Sequence, residues 1–155
     1  MVESGEKRDK YLLSGGFYNT VDEKGRLSFP AALRKGFSGD SLVITRGVDT
    51  CLWAYPRDKW QLFAEKLEAA SSMQKEVRRL QRHFLGWATE SVIDKAGRLA
   101  IPQTLREYAG LVRECTVMGL GQKIEIWNSD KFTCENEGNG EDDISAIAQQ
   151  FADMF

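Results

Sequence analysis

The chain contains little histidine and little cysteine, and each shortage excludes a class of function. The one histidine, His83, lies in a run of arginines rather than beside a cysteine or serine that it could activate. This position excludes most histidine-dependent catalysis and most zinc sites. Cys51, Cys115 and Cys134 are odd in number and widely spaced, so they predict neither a disulfide framework nor a metal knuckle. We expect buried or incidental thiols, with no metal and no cofactor.

Long apolar runs are also missing. None approaches the roughly 20 residues that a membrane-spanning helix needs, and residues 1–10 lack the apolar core and small-residue cleavage site of a secretory signal. The sequence has neither a Gly-x-x-x-x-Gly-Lys-Ser/Thr phosphate loop nor a Gly-x-Ser-x-Gly nucleophile elbow. We therefore expect a cytoplasmic protein that is not an enzyme, has no catalytic residues, does not contact a membrane and binds no evident small molecule.

The charge is unevenly distributed along the chain. The formal net charge of −2 argues against a nucleic-acid-binding protein, because phosphate contacts require Lys and Arg. However, residues 133–155 contain six acidic residues and no basic ones, so residues 1–132 carry +4. The body is thus mildly basic, and the acidic tail is typical of a solvating appendage.

An internal duplication dominates the sequence. When the chain is displaced so that residue 17 falls on residue 89, the segments 17–60 and 89–132 align without a gap and give ten identities, which include Gly47 with Gly119. Each copy contains an Asp-x-x-Gly-Arg segment, in which Asp can hydrogen-bond the following backbone and Gly can supply a positive φ. The two predicted turns are formed by Asp22, Gly25 and Arg26, and by Asp94, Gly97 and Arg98.

The same order of elements is predicted in both copies. A strand (17–21 or 90–93) leads into the turn, and the alternating residues after it predict a second strand (26–29 or 98–101). Pro30 and Pro102 then end that strand and begin a short helix (31–35 or 103–108). Two further strands follow, at 41–45 and 50–55 in the first copy and at 115–119 and 123–127 in the second.

Apolar residues at helical spacing predict two amphipathic helices between the copies, at 57–69 and 73–86. Residues 135–141 favour a flexible linker before a last short helix. We therefore divide the chain into a flexible N-terminal extension (1–11), a first repeat (12–60), connecting helices (61–88), a second repeat (89–132) and an acidic tail (133–155).

The duplicated arginines allow two interpretations. An arginine at the start of a strand, just after a rigid turn, can direct its donors toward phosphate oxygens or a guanine edge. Alternatively, Arg26 and Arg98 pair with Asp22 and Asp94 only to hold the turns together. Lys24 and Lys95 add positive charge that a purely structural turn does not need.

Other basic and aromatic residues leave similar alternatives open. Arg34 and Arg106, one turn past the prolines, either favour an anion near the helix N-terminus or belong to a solvated face. A basic stripe on the second connecting helix either follows a phosphate backbone or faces solvent or another subunit; it consists of Lys75, Arg78, Arg79 and Arg82. We assign the tryptophans to cores or interfaces; they are Trp53, Trp60, Trp87 and Trp127.

Two segments resemble the MraZ family and, more distantly, AbrB/SpoVT-type DNA-binding domains. The first is VDEKGRLSFP at 21–30 followed by LR at 33–34, and the second is DKAGR at 94–98 followed by LREYAGL at 105–111 and EIW at 125–127. The resemblance covers about residues 12–132. It implies a β-rich α+β fold in which two tandem AbrB-like repeats form a swapped-hairpin, double-psi β-barrel. It also implies that the family's Asp-x-x-x-Arg motif falls on Asp22 with Arg26 and on Asp94 with Arg98.

The resemblance further implies a sequence-specific transcriptional regulator that acts on the division and cell wall gene cluster, including its own promoter. Its partners would be double-stranded promoter DNA and copies of itself in a ring, and it would associate with the nucleoid. The candidate DNA contacts are Lys24, Arg26, Arg34, Lys95, Arg98 and Arg106. The competing hypothesis is an oligomeric interaction protein whose arginines are fully engaged by Asp22 and Asp94.

Overall fold

The computed structural model of the protein describes residues 12–137 and 143–155. These residues form eight strands: β1 Leu13–Thr20, β2 Arg26–Ser28, β3 Ser41–Arg46, β4 Leu52–Pro56, β5 Thr89–Val92, β6 Arg98–Ala100, β7 Glu114–Gly121 and β8 Ile124–Asn128. They also form six α-helices: α1 Ala31–Arg34, α2 Arg57–Ala69, α3 Lys75–Phe84, α4 Gln103–Ala109, α5 Ser129–Asn136 and α6 Ile144–Gln150. A 3₁₀ turn, Ala152–Met154, follows α6. None of these helices combines the length and apolar character needed to cross a bilayer.

Most of the predicted elements are confirmed, and the differences lie at their ends. Strand β1 begins at Leu13 rather than Phe17, because it pairs with β7 along its whole length. The predicted linker at 135–141 begins too early, since α5 extends to Asn136 and its N-cap, Asn128, accepts a hydrogen bond from the backbone N–H of Lys131. The rest of that linker, 138–142, and the predicted extension at 1–11 lie outside the described residues.

The strands form a six-stranded antiparallel sheet in the order β1-β7-β8-β4-β3-β5 and a separate two-stranded sheet of β2 and β6. The first strand of each repeat pairs with the hairpin of the other repeat, β1 with β7 and β5 with β3. At the centre, Trp53 of β4 lies opposite Glu125 of β8, its counterpart in the second repeat. The fold is therefore sheet-rich α+β with approximate twofold symmetry. Among the described strands neither sheet closes into a barrel, so the double-psi barrel remains a prediction.

A shared core explains why apolar residues recur in the two copies. In the two-stranded sheet Leu27 lies directly opposite Leu99, and both side chains are fully buried. The residues that precede and follow them in each repeat are also buried and belong to the same cluster: Val21, Phe29 and Leu33, and Ile93, Ile101 and Leu105. Burying one such side chain contributes about 1.5–3 kcal/mol. Each repeat thus supplies half of one core.

The two hairpins differ in register by one position, which corrects the ungapped alignment. Tyr55 pairs with Val43, whereas Trp127, the sequence counterpart of Tyr55, pairs with Thr116, which lies one position beyond the counterpart of Val43. The second copy has four residues (110–113) between its short helix and β7, where the first has six (35–40) before β3, and its hairpin loop has two residues (122–123) rather than five (47–51). Gly47 and Gly119, aligned in the sequence, are therefore not structural equivalents.

The connecting helices cover an aromatic cluster on one side of the large sheet. The ring of Trp53 stacks on Phe84 of α3 at 5.1 Å, and Tyr55 stacks on Phe63 of α2 at 5.2 Å. Phe63 and Phe84 also meet edge to face at 5.5 Å. These contacts account for the apolar stripe predicted on both helices and attach α2 and α3 to the first repeat.

Candidate nucleic-acid interface

Both Asp-x-x-Gly-Arg segments form the same tight turn. In the first, the Oδ1 atom of Asp22 accepts hydrogen bonds from the backbone N–H groups of Lys24 and Arg26, each at 2.9 Å. The backbone carbonyl of Asp22 accepts from the N–H of Gly25 at 3.0 Å, and Gly25 adopts φ +79°. Only glycine enters this region without strain, so the residue types dictate the turn.

The second turn repeats this geometry. The Oδ1 atom of Asp94 accepts from the N–H groups of Ala96 and Arg98 at 3.0 and 2.9 Å, and Gly97 adopts φ +78°. These bonds favour the charged carboxylate. The pKa of Asp22 is accordingly lowered, chiefly by the N–H of Arg26, and the pKa of Asp94 is lowered, chiefly by the N–H of Arg98.

Each motif arginine also pairs with its own aspartate. The Nε of Arg26 donates to Oδ2 of Asp22 at 2.8 Å, and the Nε of Arg98 donates to Oδ2 of Asp94 at 3.0 Å. The pairing expected from the structural interpretation is therefore present. The side chains are not enclosed by it, because Arg26 and Arg98 remain 28% and 38% exposed. Both bonds use Nε alone, and within the part of the chain that the structure describes the two Nη groups of each guanidinium remain available for another acceptor.

Residues 22–28 and 94–100 together form one two-stranded element, which we call the turn ribbon. The N–H of Phe29 donates to the carbonyl of Gly97 at 2.9 Å, and the N–H of Ile101 donates to the carbonyl of Gly25 at 3.0 Å. Alternation along the strands places Leu27 and Leu99 on the inner face of the ribbon. The outer face consists of Arg26, Ser28, Arg98 and Ala100, which are partly or fully exposed. A two-stranded ribbon of this kind fits the major groove of DNA.

The two turn lysines lie at the tips of the ribbon but not at equivalent positions. Lys24 corresponds to Ala96, whereas Lys95 corresponds to Glu23. Both lysines are exposed, and neither has an ion-pair partner within the described residues. The first turn therefore carries an extra acidic side chain that the second turn lacks.

Arg34 and Arg106 make different contacts although their sequence contexts match. Each lies in the last turn of its short helix. The guanidinium of Arg34 pairs with the carboxylate of Asp40. Arg106 instead donates from Nε to the carbonyl of Ile101 at 2.9 Å, and its guanidinium lies against the Cα of Gly25 in the first turn.

The basic stripe on α3 lies outside the ribbon, and one of its residues makes hydrogen bonds within the fold. Arg78 of the basic stripe donates to the carbonyls of Ser72 and Met73 at 2.9 and 3.1 Å, while the remaining stripe residues are exposed.

Burial raises the pKa of the Cys51 thiol to about 12 and that of Cys115 to about 11, so both are protonated and unreactive at neutral pH.

Sequence reasoning missed three residues of the site. Ser28 and Ala100 complete the outer face of the ribbon, and strand alternation could have identified them. Asp40 engages Arg34, and the second copy has no acidic residue at the corresponding positions, which are occupied by Val112 and Arg113. The alignment of the two copies already shows that Asp40 has no acidic counterpart in the second copy.

Comparison with known proteins gives one consistent result. Residues 12–83 and, separately, residues 84–151 match the family described as "MraZ protein, putative antitoxin-like". A protein of Syntrophomonas wolfei named Transcriptional regulator MraZ is 38% identical over 143 residues, which cover 92% of this chain and 99% of the relative. Proteins of the same name from Treponema denticola and Ligilactobacillus salivarius are 39% and 40% identical, covering 88% and 92% of this chain and 98% and 99% of theirs.

Proposed function

Because the chain belongs to the MraZ family, whose named function is transcriptional regulation rather than catalysis, we propose that it is a sequence-specific DNA-binding regulator and that the turn ribbon is its DNA-contacting element. The observation that carries the proposal is the outer face of the ribbon. On it, two arginines related by the approximate twofold axis are held by their aspartates, and their Nη groups have no acceptor among residues 12–137 and 143–155.

The Asp–Arg pairs support DNA contact as well as turn structure. A surface arginine loses rotamer freedom when it binds, and this loss weakens the complex. Asp22 and Asp94 fix Arg26 and Arg98 before DNA arrives, so less freedom is lost on binding. The fixed fork can then donate two parallel hydrogen bonds to a guanine edge or to a phosphate.

The other candidate residues contribute charge around this face. Lys24 and Lys95 extend from the tips toward phosphates, and Arg34 and Arg106 flank the ribbon on the short helices. In this proposal residues 12–60 and 89–132 are the two DNA-contacting repeats, and 61–88 connect them. The charge of +4 on residues 1–132 is consistent with a few phosphate contacts per chain.

Family membership supports the rest of the proposal. We infer promoter DNA of the division and cell wall gene cluster, including the chain's own promoter, as the target, and a cytoplasmic, nucleoid-associated protein that assembles into a ring. A ring compensates for the modest charge of each chain. When several subunits engage neighbouring sites on one DNA, weak contacts multiply into useful avidity.

One observation favours a second candidate, an interaction protein that assembles without DNA. The Nε atoms of Arg26 and Arg98 are already occupied by Asp22 and Asp94, as a purely structural turn requires. In that case the ribbon would serve folding alone, and substituting the arginines would change stability without changing any binding to DNA.

Gel-shift titrations separate the two candidates. Arg26→Gln and Arg98→Gln keep a donor for the aspartate but remove the fork, so we expect each to weaken binding to the chain's own upstream DNA by about tenfold or more. Arg57→Ala removes one exposed positive charge from α2 and is the matched control. If both glutamine variants fold, assemble and bind like the parent, the ribbon is not the DNA-contacting element.

A further inference from the structure

Arg106 differs from the three other arginines of the candidate site because its guanidinium is not neutralised. Arg26, Arg98 and Arg34 each pair with an aspartate. Within the described residues Arg106 has no ion-pair partner, and its one hydrogen bond joins Nε to the carbonyl of Ile101. It therefore keeps its full charge and both Nη groups.

The same side chain is fixed in position at the first turn. A Cβ atom built on Gly25 would lie 2.6 Å from Cζ and 2.8 Å from Nη2 of Arg106, so the guanidinium occupies the space that the missing side chain leaves. Gly97, at the equivalent place in the second turn, has no atom of the described residues within 4 Å of such a Cβ. Arg34, the counterpart of Arg106, pairs with Asp40 instead of packing against Gly97.

The charged residues at the tips of the two turns also differ, and the second tip is the more positive one. The second turn has Lys95 where the first has Glu23. The first turn thus combines a rigid, planar guanidinium with a tip at which Glu23 offsets the charge of Lys24, whereas Ala96 leaves the charge of Lys95 in the second turn without such an offset. The second has a flexible ammonium beside an open glycine, where a phosphate can approach the backbone closely.

From this asymmetry we propose that Arg106 reads a base edge, so that the first turn sets sequence specificity while the second turn holds the phosphate backbone. This inference rests on the proposed DNA binding and assigns different roles to its two halves. Guanine is the base that a fixed guanidinium recognises, through its O6 and N7 acceptors. A mobile lysine suits phosphate, which it contacts as a point charge.

The test measures specificity as well as affinity. The full-length parent, Arg106→Lys and Arg57→Lys are titrated by fluorescence anisotropy with the chain's own upstream DNA and with a scrambled duplex of equal length and composition. Both variants keep the charge, and Arg57 is an exposed arginine of α2 outside the candidate site. We expect Arg106→Lys to lose about 10- to 100-fold in affinity for the upstream DNA, with little change for the scrambled duplex, whereas Arg57→Lys preserves the ratio between the two.

A second arm uses upstream DNA in which 7-deazaguanine replaces guanine and removes the N7 acceptor. This change should weaken DNA binding by the parent more than DNA binding by Arg106→Lys, because that variant has already lost one guanine contact. Equal losses in both proteins, or an unchanged ratio of upstream to scrambled binding in Arg106→Lys, would overturn the base-reading role. If the parent itself does not distinguish upstream from scrambled DNA, the proposed function fails instead. Circular dichroism melting of each variant identifies any loss that is due to unfolding.

Discussion

Trp53 and Glu125 occupy equivalent positions in the two repeats and are hydrogen-bonded to each other across the middle of the large sheet. The indole Nε1 of Trp53 donates to Oε2 of Glu125 at 3.2 Å, while the indole Nε1 of Trp127 donates to Oε1 of the same carboxylate at 2.8 Å. One carboxylate therefore satisfies an indole from each repeat at the boundary where the two repeats meet.

Replacing this carboxylate should destabilise the fold. In Glu125→Ala both indole N–H groups lose their acceptor, and that of Trp127 lies in a side chain only 3% exposed. We expect the free energy of unfolding, measured by urea denaturation, to fall by about 1–3 kcal/mol. Glu114→Ala, an exposed glutamate on β7, should change it by less than about 0.5 kcal/mol. Equal effects of the two substitutions would contradict a bridging role.

The two turn glycines should respond unequally to alanine. Both have a positive φ, which costs a non-glycine residue about 1–2 kcal/mol. Gly25→Ala must also displace the guanidinium of Arg106 from Ile101, which adds about 0.5–1.5 kcal/mol, whereas Gly97→Ala meets nothing. In an Arg106→Ala background the two substitutions should cost the same. A difference that persists in that background would show that Arg106 is not its cause.

The turns and the buried faces of the strands can be predicted from the sequence, because short stretches of residues specify them. The Asp-x-x-Gly-Arg pattern specifies the turn, and alternation around Leu27 and Leu99 specifies the buried face of each strand. Nothing local indicates that β1 pairs with β7 and β5 with β3, since strand pairing depends on the assembled core rather than on any one segment.

One structural detail, the shift in register between the two hairpins, could not be predicted from the sequence. The one-position shift between the hairpins was masked because Gly47 and Gly119 coincide in an ungapped alignment, although their roles differ. The carbonyl of Gly47 accepts from the hydroxyl of Tyr108 at 2.8 Å. Gly119 leaves room for the backbone of β1, since a Cβ there would lie 2.7 Å from the nitrogen of Ser14. Close packing of this kind is a tertiary property.

Acid should weaken the fold partly through Asp22 and Asp94. Both have a folded-state pKa below the unfolded value of about 4. Their contribution to stability is therefore fully present above about pH 4 and is lost as the pH falls from there toward the lower folded pKa. In Asp22→Asn/Asp94→Asn we expect a smaller loss of unfolding free energy between pH 5 and pH 2.5 than in the parent. An unchanged pH dependence, followed by urea denaturation at each pH, would exclude these carboxylates as the titrating groups.

The turn lysines should affect DNA binding through phosphate alone. Lys24 and Lys95 are exposed, so each is expected to displace about one counterion when it meets a phosphate. Lys24→Ala and Lys95→Ala should then lower the affinities for upstream and scrambled DNA by the same factor. Each should also reduce the slope of log affinity against log salt concentration by about 0.9. Lys66→Ala, an exposed lysine on α2, should leave the slope unchanged. A lysine variant that lowers the ratio of upstream to scrambled binding while keeping the parent's salt slope would instead contact a base, and the division of roles between guanidinium and ammonium would then be wrong.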